Sequence, residues 1–142
     1  MLARKGNPMS TENQIEQFLA GRPHAIVGAS RNRAKYGNKV LRAFLQNGRQ
    51  VYPVNPAADV VEGLVAYPDL GSLPEPVYGV SVITPPEVSE RVVEEAARLG
   101  IAHIWFQPGA ESEAAVNRAK QAGMNVIYGG PCVLVALRYR EG

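Results

Sequence analysis

The sequence predicts an open α/β domain, with a mainly parallel sheet of about five strands flanked by helices on both faces. Three observations carry this. Short apolar runs alternate with stretches of helical period along the chain. The apolar runs close on glycine, proline or asparagine, as buried strands do where the chain turns toward a helix. And 142 residues, 46% of them hydrophobic, suffice for one domain around one core.

His24-Ala25-Ile26-Val27-Gly28 is the first strand, apolar throughout and so buried on both faces. Asn38 to Asn47 follows as a helix, with Val40, Leu41, Phe44 and Leu45 on one stripe and Gly48 as its stop. Gln50 to Val54 is the second strand, and Pro53 inside it points to an edge or irregular position. Residues 57–78 are irregular, with an extended piece near Leu64 to Tyr67 and one helical turn at Asp69 to Leu73. Gly79 to Ile83 is the third main strand. Thr84-Pro85-Pro86-Glu87 then opens a helix, with Thr84 as cap and Glu87 three residues on. Ile101 to Phe106 is the fourth strand, Glu111 to Ala122 a helix, and Met124 to Tyr128 the fifth strand. A last short helix runs from Gly129-Gly130-Pro131 to Leu137. Strands joined through helices pair in parallel with right-handed crossovers, which makes the arrangement Rossmann-like. Residues 1–14 are expected to form a flexible tail, and 15–142 the single domain.

Net charge is only +2, with no long basic run and no apolar span. Nucleic-acid and membrane partners are therefore not expected. No secretory signal is expected from residues 1–10, and one cysteine, Cys132, excludes an internal disulfide framework. With His24 and His103 the only histidines, no metal-ligand cluster is visible. A cytoplasmic setting is expected.

In such sheets ligands bind outside the carboxyl ends of the strands, so the post-strand loops hold the chemistry. They are rich in glycine, proline and amide side chains, where a ligand approaches backbone closely and helix N-termini offer N–H donors. The first loop departs from two known phosphate-binding templates. A dinucleotide fingerprint starting at Gly28 needs glycine where Ser30 and Arg33 stand, and an acid near the end of the second strand, where Asn55 stands. A Walker phosphate loop fails because no Gly-Lys-Ser/Thr follows. What remains is a long loop carrying Ser30, Arg31, Arg33 and Lys35 and closing on Tyr36 and Gly37. It suits a ligand with several phosphates. Arg33, Lys39 and Arg42 read at least as well as surface cations.

Val27-Gly28-Ala29-Ser30, Tyr36-Gly37-Asn38-Lys39-Val40 and Val51-Tyr52-Pro53-Val54-Asn55-Pro56, in that order and spacing, resemble the stand-alone CoA-binding domain family. The same domain opens the α-subunit of succinyl-CoA synthetase and related acyl-CoA synthetases. Ala66-Tyr67-Pro68-Asp69-Leu70, Ile104-Trp105-Phe106-Gln107-Pro108-Gly109 and Gly130-Pro131-Cys132 extend the resemblance from about His24 to Leu137. The resemblance implies coenzyme A or an acyl-CoA as the ligand. It implies Gly28, Ala29, Ser30 and Arg31 at the phosphates, and Asn55 and Pro56 near the adenosine. Ile83, Thr84, Pro85 and Pro86, with Val88, would form one wall, and Gln107, Pro108 and Gly109 would flank the pantetheine arm. Lys35, Tyr36 and Gly37 belong to the same phosphate loop by position.

No catalytic residue is evident. Neither histidine lies in a post-strand loop, and Cys132 reads as a packed thiol without a base near it in sequence. The expectation is a small, non-catalytic CoA-binding module, with an unidentified protein partner or a homo-oligomer left open. Two alternatives stand beside it: the ligand-binding subunit of an acyl-CoA ligase completed by a partner chain, and a small NAD(P)-dependent oxidoreductase.

Overall fold

A computed structural model describes residues 9–141. The sheet is built from β1 (His24–Val27), β2 (Val51–Val54), β5 (Gly79–Val82), β6 (His103–Phe106) and β7 (Asn125–Ile127). All pairs are parallel, in the order β2-β1-β5-β6-β7. The expected five-stranded Rossmann-like sheet is thus present. β1 and β5 are buried along their whole length, which is why they read as continuous apolar runs rather than alternating ones.

Alternation across each strand divides the core into two layers. Ala25, Val27, Val80, Val82, Ile104 and Phe106 face α3 (Pro86–Arg98) and α4 (Glu113–Gln121), which bury Val93, Ala96, Ala115 and Ala119 against them. Ile26, Trp105 and Ile127 face the other layer, made by α1 (Thr11–Ala20), α2 (Tyr36–Gln46) and the short α5 (Val133–Ala136). No described helix is long and apolar enough to cross a membrane.

β2 lies at the sheet edge, one of the two positions that Pro53 left open. Its outer side is covered by the returning chain, with Tyr67 N–H donating to the Pro53 carbonyl at 3.0 Å and Asn55 N–H to the Tyr67 carbonyl at 2.8 Å. The irregular stretch contains a small hairpin, β3 (Val60–Val61) and β4 (Leu64–Val65). Glu62 and Gly63 turn it with φ of 51° and 79°, the doubly positive geometry favoured in two-residue hairpins. A 3-10 turn follows at Leu70–Ser72, within the helical turn expected there.

Several details differ from the sequence reading: α2 begins at Tyr36 rather than Asn38 and β6 at His103 rather than Ile101, and three further differences lie at α1, α3 and α4. α1 begins at Thr11, inside the stretch expected to be a tail, whose residues 1–8 lie outside the described residues. Its only fully buried side chain is Phe18, packed edge-on to Trp105 at 5.3 Å, so its apolar signal is short. Thr84 does not cap α3. Pro85 holds the cap position without a side-chain bond, and the Thr84 hydroxyl pairs with Ser89 Oγ at 2.7 Å. α4 starts at Glu113, capped by Ser112. Glu111 instead accepts from Gly109 N–H at 3.1 Å and Gly129 N–H at 3.2 Å, tying together the loops after β6 and β7.

Candidate functional site

β1 is followed in sequence by its neighbour on one side, β2, and later by its neighbour on the other, β5, so strand succession reverses between β1 and β5. Loops leaving the two strands diverge there and open a crevice. Two glycines set its floor. Gly28 has φ of 102°, and a Cβ on it would stand 2.0 Å from the Ile83 carbonyl oxygen. A Cβ on Gly37 would stand 2.0 Å from the Gly28 carbonyl oxygen. The N-terminus of α2 therefore rests on the end of β1. Gly37 does the close-packing work that the dinucleotide fingerprint gives to its third glycine, four residues later than Arg33.

The loop between them folds on itself. Ser30 Oγ accepts from Asn32 N–H at 3.0 Å, and Asn32 Oδ1 accepts from Ala34 N–H at 3.0 Å. Lys35 holds the cap position of α2 but places no side chain on the helix end. Among the described residues, the N–H groups of Ser30, Arg31, Tyr36 and Gly37 donate to no protein acceptor. Such groups at a helix start are a ready anion site.

A cleft of about 690 Å³ lies over these groups. Gly28, Ala29, Ser30, Lys35, Tyr36 and Gly37 line it from the first loop, and Asn55 and Pro56 from the end of β2. Ile83, Thr84, Pro85 and Val88 form the facing wall. Asn55 is held in place by donating to the Ala29 carbonyl at 2.8 Å and accepting from Ala57 N–H at 2.7 Å. A second lobe of about 620 Å³ shares Tyr36, Ile83, Thr84 and Pro85 with the first and continues past Pro108 and Gly109 to Cys132.

Tyr36 stands between the lobes. Its hydroxyl donates to Gln107 Oε1 at 3.3 Å and lies against Cys132 Sγ. Burial and the neighbouring thiol push the phenol above its ordinary pKa, so it stays a protonated donor. Gln107 is fully buried; its Oε1 also accepts from Val133 N–H at 2.9 Å, while its Nε2 has no partner among the described residues. Trp105 Nε1 donates to the Pro131 carbonyl at 3.0 Å and pins the loop that carries Cys132.

Of the residues singled out from sequence, fourteen line one lobe or the other: Gly28, Ala29, Ser30, Lys35, Tyr36, Gly37, Asn55, Pro56, Ile83, Thr84, Pro85, Val88, Pro108 and Gly109. Three do not. Arg31 is exposed in the same loop, Pro86 is the first residue of α3, and Gln107 lies beneath Tyr36. Two side chains differ from their reading. Arg42 is 7% exposed; its Nε donates to Asn38 Oδ1 at 2.7 Å and its Nη2 to the Arg33 carbonyl at 2.9 Å, so it braces the loop rather than decorating the surface. Cys132 is only half-buried and lines the second lobe. The sequence reading missed Arg91, Val92 and Glu95, and with them Pro68, Asp69 and Leu70. For the α3 residues the signal was present: Val88, Arg91, Val92 and Glu95 fall at i, i+3, i+4 and i+7 on one helix face.

The CoA binding domain family matches residues 22–138. A conserved hypothetical protein of known structure from Pyrococcus furiosus superposes with a TM-score of 0.77 at 42% identity, over 82% of this chain and 99% of that one. The uncharacterized protein YneT of Bacillus subtilis is 30% identical over 131 residues, 92% of this chain and 95% of its own length. An ADP-forming acetate–CoA ligase of Archaeoglobus fulgidus, the one designated II, is 35% identical over 79 residues. The matched segments span only 12% of that ligase and 16% of the same organism's ligase I.

Proposed function

The chain belongs to the CoA binding domain family, and from that premise we propose that it binds coenzyme A or an acyl-CoA across the carboxyl ends of its sheet, as a small non-catalytic module. The observation that carries this is the pair of joined lobes at the β1/β5 crevice, floored by Gly28 and Gly37 and meeting at Tyr36 and Thr84. An elongated ligand with a polyanionic nucleotide end and a thin arm fits two lobes in series. The diphosphate sits on the free N–H groups of the first loop with Ser30 and Lys35, and Arg31 in the same loop adds charge from the solvent side. The adenosine lies between Asn55-Pro56 and the wall made by Ile83, Thr84, Pro85 and Val88, with Pro86 behind it. The pantetheine arm passes Tyr36, held by Gln107, toward Pro108, Gly109 and Cys132.

The histidines support a binding role over acid–base chemistry on this ligand. His24 and His103 begin β1 and β6, at the amino ends of the strands. The cleft is at the carboxyl ends.

Coenzyme A is expected to raise the melting temperature, and NAD at equal concentration to leave it unchanged. A ligand selective for the native state stabilises it by about 2.7 kcal/mol at a hundredfold excess over its dissociation constant. Native mass spectrometry of the purified protein should retain a CoA-sized adduct. An NAD shift equal to or larger than that of CoA would refute the reading in favour of an oxidoreductase.

A second reading has its own support. The ligase relatives match this chain over a small part of their length, so the chain corresponds to one segment of a larger enzyme in those cases. A partner chain that restores acyl-CoA formation when mixed with this protein would decide for a ligase subunit.

A further inference from the structure

We infer that Arg91 recognises the ribose 3′-phosphate of coenzyme A, so that the protein distinguishes coenzyme A from its 3′-dephospho form. This rests on the CoA reading and deepens it.

Several cations are already engaged within the protein. Arg33 pairs with Glu62, Lys39 with Glu141 and Arg118 with Glu94. Arg42 is held by Asn38 and the Arg33 carbonyl, and Arg49 donates to the Leu19 carbonyl. The cations lining the larger lobe are Lys35 and Arg91. Among the described residues neither side chain makes an ion pair or hydrogen bond.

Arg91 is unpartnered although three acids stand at pairing spacing along its own helix: Glu87 four residues before it, Glu94 three on and paired with Arg118, and Glu95. Glu95 lies four residues on, the spacing at which opposite charges ordinarily pair. Glu95 is turned to other work: its carboxylate accepts from Leu70 N–H at 3.3 Å and Gly71 N–H at 3.0 Å, closing the 3-10 turn against α3. Asp69, the other acid of the lobe, accepts from Ser72 N–H at 2.9 Å and Ser72 Oγ at 2.7 Å. The lobe thus keeps its carboxylates occupied and its guanidinium free.

The two free cations come from different layers. Lys35 precedes α2, on one face of the sheet, beside the free N–H groups. Arg91 projects from α3, whose core side chains pack on the opposite face. Apolar surface from Leu70, Ile83, Val88 and Val92 lines the same lobe. The lobe therefore offers two anion positions with a wall for a flat base. That pattern selects a nucleotide phosphorylated at two places, a diphosphate on one side of the nucleoside and a monoester on the other. Coenzyme A has this pattern, as does NADP with its ribose 2′-phosphate; NAD, with its phosphates together, does not. Arg suits the monoester because its planar fork meets two phosphate oxygens at once.

Titration calorimetry of coenzyme A and 3′-dephospho-coenzyme A against the wild-type, Arg91→Gln, Arg91→Lys and Lys35→Gln proteins tests this. The wild-type protein should bind coenzyme A at least about tenfold more tightly than the dephospho form, the range of one charged hydrogen-bonding contact. Arg91→Gln should bind both forms alike, at the wild-type affinity for the dephospho form, and Arg91→Lys should recover part of the preference. Lys35→Gln should weaken both forms by the same factor. Tight binding of both forms by the wild-type protein without preference overturns the role of Arg91 and leaves the CoA reading standing. Equal loss of both forms in Arg91→Gln also overturns it. Absence of coenzyme A binding by the wild-type protein overturns both.

Discussion

A methyl group at position 37 would sit 2.0 Å from the Gly28 carbonyl oxygen, and one at position 28 would sit 2.0 Å from the Ile83 carbonyl oxygen. Both obstacles are backbone, so neither can rotate away. Gly28→Ala and Gly37→Ala are each expected to cost at least about 2 kcal/mol in urea unfolding. Gly48→Ala is the control: it also has positive φ but nothing within 4 Å, so it should cost about 1 kcal/mol. Equal effects at all three positions would mean that the close approach of α2 to β1 is not tight. Arg42 is the other residue whose role is decided by neighbours. Arg42→Ala removes two charge-assisted hydrogen bonds and strands Asn38 Oδ1, and should destabilise by roughly 2–4 kcal/mol. Arg31→Ala should leave unfolding within about 0.5 kcal/mol, because the side chain is exposed.

At the scale of elements, the phosphate loop depends on a hairpin far from it in sequence. Glu62, at the turn of β3–β4, accepts from Asn38 Nδ2 at 2.9 Å and pairs with Arg33. Asn38 in turn donates to the Ser30 carbonyl at 2.7 Å, so hairpin, helix and loop share one network. The Asn38 hydrogen bond, with Arg33 beside it, holds the Glu62 carboxyl below its ordinary pKa. Stability from this pair is therefore full at neutral pH and is lost as pH falls below the usual glutamate range. Glu62→Ala should speed amide exchange across residues 30–35 and weaken coenzyme A several-fold, while global stability changes by no more than about 1 kcal/mol. Unchanged exchange in the loop would show that the hairpin does not brace it.

For the whole molecule, His24 makes the fold sensitive to acid. It is fully buried in the layer of α1 and α2, its Nε2 donates to the Phe18 carbonyl at 2.8 Å, and its Nδ1 has no partner among the described residues. Burial lowers its pKa from 6.5 to about 4, against the pull of the Phe18 carbonyl and with help from Arg49 and His103. The unfolded chain takes up this proton first as pH drops. Stability is thus complete above about pH 6.5 and declines toward pH 4, by on the order of 3 kcal/mol. His24→Phe should flatten urea midpoints over that range, even if it lowers the midpoint at pH 7. A slope unchanged by the substitution would assign the acid sensitivity to other groups.

The sheet strands, the two flanking layers and the crevice at the strand ends follow from the order of apolar runs and breakers, because burial on both faces leaves each parallel strand a visible apolar segment. Gly28, Ser30, Asn55 and Thr84 were legible for the same reason: they are the first polar or glycine positions after such segments. Pro53 narrowed β2 to an edge or irregular position, and the pairing put it at the edge. What only the tertiary structure decided is pairing between distant residues. Arg42 and Arg31 look alike in a sequence, and burial under Tyr139 and Asn38 separates them. Arg91 looks like a solvated helix charge until Glu95 is seen capping a turn 24 residues upstream. α1, with one deeply buried side chain, carries too little periodicity to announce itself, and Trp105 on the sheet face beneath it is what gives Phe18 its place. Local pattern records which surface a segment buries, whereas the partner of a polar or charged group is chosen by contacts that no local pattern contains.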